Sequence, residues 1–313
     1  MCVFWGDAAL HSPRSDPRFE PAVVATGRAH RVQSVRERGA CTKVEGMDQM
    51  AQIDNRYAGR TGARTDVAVD AGLRAYMLRV YNYMTAGVAL TGVVAYLVFS
   101  YAVTTDPALA ATIGSRTIAL HRGMYLTPFG QAIFLSPLKW VVMLAPLAFV
   151  FFLSWRIYRM SLGAAQLAFW LFAAVMGASL SSIFLVYTGS SITQVFFVTA
   201  AAFGSLSLYG YTTQRDLSGW GSFLIMGLIG VIVAALLNLW LQSSALQFAI
   251  SVIGVLVFAG LTAYDTQQIK DNYYTVMGDA TAAAKQAIMG ALNLYLDFIN
   301  MFVMLLQLFG NRE

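Results

Sequence analysis

From Tyr76 onward the chain is written in long apolar runs separated by short polar breaks. Each run approaches the roughly 20 residues that a helix needs to cross a hydrocarbon core of about 30 Å. Seven such runs are predicted as membrane spans, at about 78–103, 138–155, 163–187, 192–213, 218–241, 246–269 and 284–309. The second is the shortest. The connections between the third and sixth spans are short, so successive helices there are expected to be antiparallel neighbours. The segment Thr104–Pro137 differs, with Pro107, Pro128 and Pro137 in mixed surroundings, and a short surface helix is expected in it. The pattern predicts an all-α membrane protein with its membrane domain at 73–313.

Residues 1–72 are polar and rich in Arg, and lack the apolar stretch of about 7–15 residues that a secretory signal requires. They are expected to form a basic, disordered N-terminal region. Met47 offers a second start, so residues 1–46 are read as an upstream extension of the gene model.

Composition sharpens the membrane assignment. Hydrophobic residues make up 58% of the 313, charged residues only 12%, and the mean hydropathy is +0.59. Soluble domains carry about 25% charged residues. Cys2 and Cys41 both precede the spans, which leaves no cysteine chemistry inside them. The net charge of +5 does not point to nucleic acid, because 12 of the 21 Lys and Arg precede residue 80. With Arg156, Arg159, Arg215, Lys270 and Lys285 in loops on the same side, that distribution matches the positive-inside rule. The expectation is a bacterial inner-membrane protein with a cytoplasmic N-terminus. Seven spans put the C-terminus outside, whereas a re-entrant last segment would return it inside. Trp140, Trp155, Trp220 and Trp240 fall near span ends, as an aromatic belt requires.

Charges inside the spans are the chemical signal. The span interiors contain no Lys or His and only two acids, Asp265 in the sixth and Asp297 in the seventh. A charge at mid-helix costs about 2.5–3.5 kcal/mol on insertion scales, so each needs a partner, water or a proton. Residue 281 lies midway between them, and a hairpin turning there brings both to similar depth. Two carboxylates in one low-dielectric site do not both ionise cheaply, so the pair is expected to share a proton, and its loss would part the helices or admit a cation. Hard oxygen ligands suit calcium, with carbonyls or water completing the shell. Tyr264, Thr266 and Gln267 beside the first acid, and Asn293, Tyr295 and Asn300 beside the second, supply polar support. Asn293, Asp297 and Asn300 share one helix face by their i, i+4, i+7 spacing. The plain alternative is a pair that only staples two helices together.

The segment from Gly260 to Ile269, GLTAYDTQQI, resembles the sixth-helix signature of the Bax inhibitor-1 family. The segment Ala291–Asn300, ALNLYLDFIN, followed by Leu308-Phe309-Gly310-Asn311-Arg312, resembles that family's C-terminal motif. The resemblance covers about 73–313. It implies seven helices with the last one central between two layers, and a pH-sensitive aspartate pair, Asp265 and Asp297, governing a calcium leak. Some bacterial relatives add a basic latch on the second helix, but here that span has Lys139 and Arg156 only at its ends. Other bacterial members are linked to the quality-control protease FtsH.

The resulting expectation is a passive, pH-gated cation leak without a resident cofactor, calcium binding only in passage. The alternative is a non-conducting regulator of FtsH or of stress responses, docking through Asp271-Asn272-Tyr273-Tyr274. No enzyme is expected. Leu294-Tyr295-Leu296 before Asp297 lacks the glycine-containing motif of aspartyl intramembrane proteases, and the nearest lysine, Lys285, lies at the edge of the last span, where a retinal Schiff base cannot be built.

Overall fold

The computed structural model describes the backbone of residues 42–113, 116–120 and 123–312, and side chains within 70–112, 118–120 and 123–312. Most of the basic N-terminal region, including nearly all of 1–46, lies outside the described residues. The chain divides at Gly72 into two units. Of the unit before Gly72, the described part is helical backbone belonging to α1, which runs over Thr42–Ala102.

The unit from Gly72 is helical throughout its membrane portion. After α1 come α2 (Pro128–Phe134), α3 (Leu138–Arg156), α4 (Leu162–Leu180), the short α5 (Ile183–Val186), α6 (Gly189–Thr212), α7 (Ser218–Leu241), α8 (Ser244–Val276) and α9 (Ala280–Phe309). Among the described residues seven helical stretches are long and apolar enough to cross a membrane, with α4 and α5 forming one of them. The expected surface helix in Thr104–Pro137 is α2, capped by Thr127 through the Gly130 amide. The same segment also holds two small antiparallel pairs that hydropathy did not predict. β1 (Val103–Thr104) pairs with β4 (Tyr125–Leu126), and β2 (Thr112–Ile113) with β3 (Arg116–Thr117).

Local chemistry explains the helix boundaries. Ser161, Thr188 and Ser243 cap α4, α6 and α8 with their hydroxyls. Between α8 and α9, Gly278 takes φ +113°, a left-handed value that favours glycine, and Asp279 then accepts the Thr281 and Ala282 amides to start α9. Turn and cap together close the last hairpin within three residues.

The last helix is the axis of the bundle. Of its most apolar 18 residues, 72% are buried, against 11% for α7. It packs most extensively on α8 and also on α6 and α4. Ala287, Leu294 and Tyr295 are fully enclosed. The four tryptophans of the expected belt are all more than half exposed.

One expectation is modified. α6 and α7 are joined by a short loop, yet both pack chiefly on α8 rather than on each other. Small residues are the reason. A Cβ on Gly210 of α6 would collide with the Ala263 backbone, and one on Gly221 of α7 would sit 2.6 Å from the Tyr264 ring. Adjacent residues of α8 thus receive two different helices at glycine contacts. The C-terminal tail closes the far end: Thr188 donates its amide to the Asn311 carbonyl, the Asn311 amide reaches the Ser191 hydroxyl, and Arg312 lies over the Tyr187 ring.

Candidate functional site

The α8–α9 hairpin sets the depth of the two aspartates. Gly290 faces Ile269 and Gly254 faces Met304, pairs whose midpoints fall at 279–280, beside the Asp279 cap. Residue 281, the midpoint of Asp265 and Asp297, lies one and a half to two residues beyond that, so the two acids are offset by about one helical turn along the hairpin rather than level. The side chains of the two aspartates interact with each other across the α8–α9 contact. Asp297 is buried at 5% exposure, whereas Asp265 is only partly buried. A hydrogen bond between two carboxyl groups needs a proton on one of them. Among the described residues no third aspartate, glutamate, histidine or cysteine joins the pair as a ligand cluster, so a cation passing there would take its other oxygens from carbonyls or water.

The polar residues named around the pair serve different purposes. Thr266 is fully buried, and its hydroxyl donates to the Thr262 carbonyl at 2.7 Å. Its single proton being used there, Ser207 must donate to Thr266 at 2.9 Å and Tyr81 to Ser207 at 2.6 Å. A chain of hydroxyls with one direction therefore links α1, α6 and α8 next to Asp265. Gln267 does not turn toward the aspartates. Its amide spans the α6–α7 loop, donating to the Arg215 carbonyl and accepting the Leu217 amide at 2.7 Å. In that loop Asp216 accepts from Ser218, which holds its exposed carboxyl below the usual carboxylate range. That contact contributes at pH above the ordinary carboxylate value and fades as pH falls through the lowered one. Tyr264 fills the space over Gly221. Asn300 donates to the Leu296 carbonyl within its own helix, and Asn293 is partly exposed one turn from Asp297.

Tyr295 is a brace between helices. Its ring meets Phe169 and Phe172 of α4 edge-on, and its hydroxyl lies 2.7 Å from that of Thr91 on α1. Thr91 in turn reaches the Gly87 and Ala173 carbonyls at 2.9 Å. Tyr295→Phe is expected to remove one hydrogen bond and cost about 1 kcal/mol, because Thr91 keeps its carbonyl partners. Tyr295→Ala should cost about 3–5 kcal/mol through the cavity it leaves. Chemical denaturation in detergent micelles measures both.

Charge alone does not single out two further polar groups. The first is Tyr81 with Ser207. The second is an amide cluster at the opposite end of the bundle, where Asn238 donates to Gln247, Gln247 to Gln307 at 2.8 Å, and Ser251 reaches the same Gln307 oxygen. The recognisable signal is four amide and hydroxyl side chains, Asn238, Gln247, Ser251 and Gln307, at the same end of three apolar spans.

The family model described as inhibitor of apoptosis-promoting Bax1 matches residues 73–313. An inner membrane protein of Escherichia coli K12, YbhL, is 46% identical over 244 residues, covering 78% of this chain and 94% of its own length. An uncharacterized protein of Rickettsia prowazekii is 45% identical over 244 residues, 78% of this chain and 92% of its own. One from Caulobacter vibrioides is 43% identical over 251 residues, 80% and 94% of the two chains. With seven spans, a buried last helix and these relatives, the chain belongs to the Bax inhibitor-1 family as a multi-pass protein of the inner membrane.

Proposed function

We propose that the protein is a passive, pH-sensitive cation leak, calcium being the preferred ion, controlled by the proton held between Asp265 and Asp297. The observation that supports this most directly is the pairing of two carboxyls on adjacent helices, one of them in the most buried helix of the bundle. While the proton is shared, it ties α8 to α9. Once it leaves, two negative charges in a low-dielectric site repel each other and attract a cation, which favours separation of the helices and entry of an ion. The end bearing Arg156, Arg159, Arg215, Lys270 and Lys285 is proposed to face the cytoplasm, in keeping with the bias of basic loops.

The test is calcium entry into liposomes holding the purified protein, read with an enclosed indicator across pH of roughly 5.5–8, a range suited to a buried carboxyl pair. A pH-dependent leak that changes in Asp297→Asn supports the reading. Absence of any leak at every pH would overturn it and leave the pair as a helix staple, with regulation of a membrane protease as the function to pursue.

A further inference from the structure

Between α1 and α6 the bundle is split by a lateral groove of about 730 Å³, with Phe298 of α9 on its floor. It runs from Arg74 and Tyr211 at one end to Val88 and Phe196 at the other. Fourteen residues of α1 separate Arg74 from Val88, or about 21 Å of helix. One leaflet of a hydrocarbon core is about 15 Å deep, so the groove extends from the membrane surface through one leaflet.

Its walls select the occupant. Most lining residues are apolar, and the hydroxyls of Tyr81 and Ser207 point their protons along the wall toward Thr266 and the Thr262 carbonyl. Neither therefore has a donor left to offer the inner groove, the Thr85 hydroxyl, also on its lining, turns toward the Met84 sulfur, and the shaft suits a hydrocarbon chain better than a polar ligand. The mouth is different. Arg74 lines it and forms no ion pair among the described residues, and Lys270 sits against Tyr211, donating to its carbonyl at 3.1 Å. Among the described residues no carboxylate lines the groove. A cationic mouth over an apolar shaft complements an anionic headgroup on an acyl chain.

We propose that the α1–α6 groove is a binding site for one acyl chain of an anionic phospholipid, whose headgroup phosphate is held by Arg74. The proposal needs only the membrane location of the chain and is independent of ion conduction.

Gly204 provides the test. It lines the groove, and a Cβ added there meets nothing within 4 Å, so a larger side chain fills the groove without striking the protein. The full-length protein in detergent is titrated with dioleoyl phosphatidylglycerol or dioleoyl phosphatidylcholine and examined by native mass spectrometry, with thermal unfolding followed in parallel. Wild type is expected to retain the anionic lipid several-fold better than the zwitterionic one. Gly204→Phe should lose that retained lipid at unchanged thermal stability, and Arg74→Gln should bring the ratio of the two lipids toward one. Equal retention of both lipids by wild type overturns the proposal, as does undiminished phosphatidylglycerol on Gly204→Phe. A change from dimer to monomer in Gly204→Phe also overturns it, since the occupant would then be a second copy of the chain.

Discussion

Gly210→Leu is expected to yield little stably folded protein. The added Cβ would lie 2.9 Å from both the carbonyl carbon and the Cα of Ala263, and closer still to its oxygen. Backbone in the middle of a helix cannot rotate aside as a side chain can, so α6 and α8 must separate. Overpacking of this kind costs about 1–3 kcal/mol or more where neighbours cannot yield. Separation also stretches the 2.9 Å contact between Ser207 and Thr266, one turn away, adding about 1 kcal/mol. The sum is a large fraction of a typical stability of about 5–15 kcal/mol. Gly204→Ala is the matched control on the same helix: nothing opposes its Cβ, and alanine's helix preference should stabilise it by up to about 1 kcal/mol. Size-exclusion profiles and thermal unfolding in detergent read both, and normal behaviour of Gly210→Leu would refute the close approach of the two helices.

The second large effect concerns pH. If release of one proton sets the open fraction, the leak should change by up to about tenfold per pH unit where the closed form dominates, rising with pH. Neutralising either acid changes this in a specific way. An asparagine amide in place of either carboxyl still forms a hydrogen bond to the remaining acid, but the pair no longer holds a proton between two acids. The steep limb should flatten over roughly pH 5.5–8 in both Asp297→Asn and Asp265→Asn. The calcium flux assay separates this from lost protein, since a damaged fold lowers flux at every pH while a lost titration changes only the slope. Steep profiles retained in both variants would remove the pair from control.

The seven spans were legible because hydropathy over about 20 residues is a strong signal, whereas the spacing of the two acids only said where a turn would have to lie to level them, and the chain turns earlier, at Gly278. The central place of α9 was not readable from composition. Lipid and protein core are equally apolar, so Leu294 in the core and the exposed Leu239 look alike in sequence. It came from the resemblance of residues 260–269 and 291–312. Gln267 illustrates a different limit: its neighbour in sequence is Asp265, but its partners are main-chain atoms about 50 residues away in a loop. The strands β1 to β4 are two residues each, too short for any periodicity to register. Tyr81 and Ser207 sit 126 residues apart, and nothing short of the packed helices joins them.

The glycine contact at Ala263 also constrains which parts can travel. It lies two residues from Asp265, and Gln267 grips the loop that follows α6 from the other side. The lower half of α8 is thereby fastened to α6, as cargo to its carrier. Parting the two carboxyls cannot then be a private bend of α8. In the proposed opening the displaced body would comprise α6, its loop, α7 and α8 together, pivoting against α9 about the Gly278 turn, and the energy barrier would be that of unseating α6 and α8 from the axis.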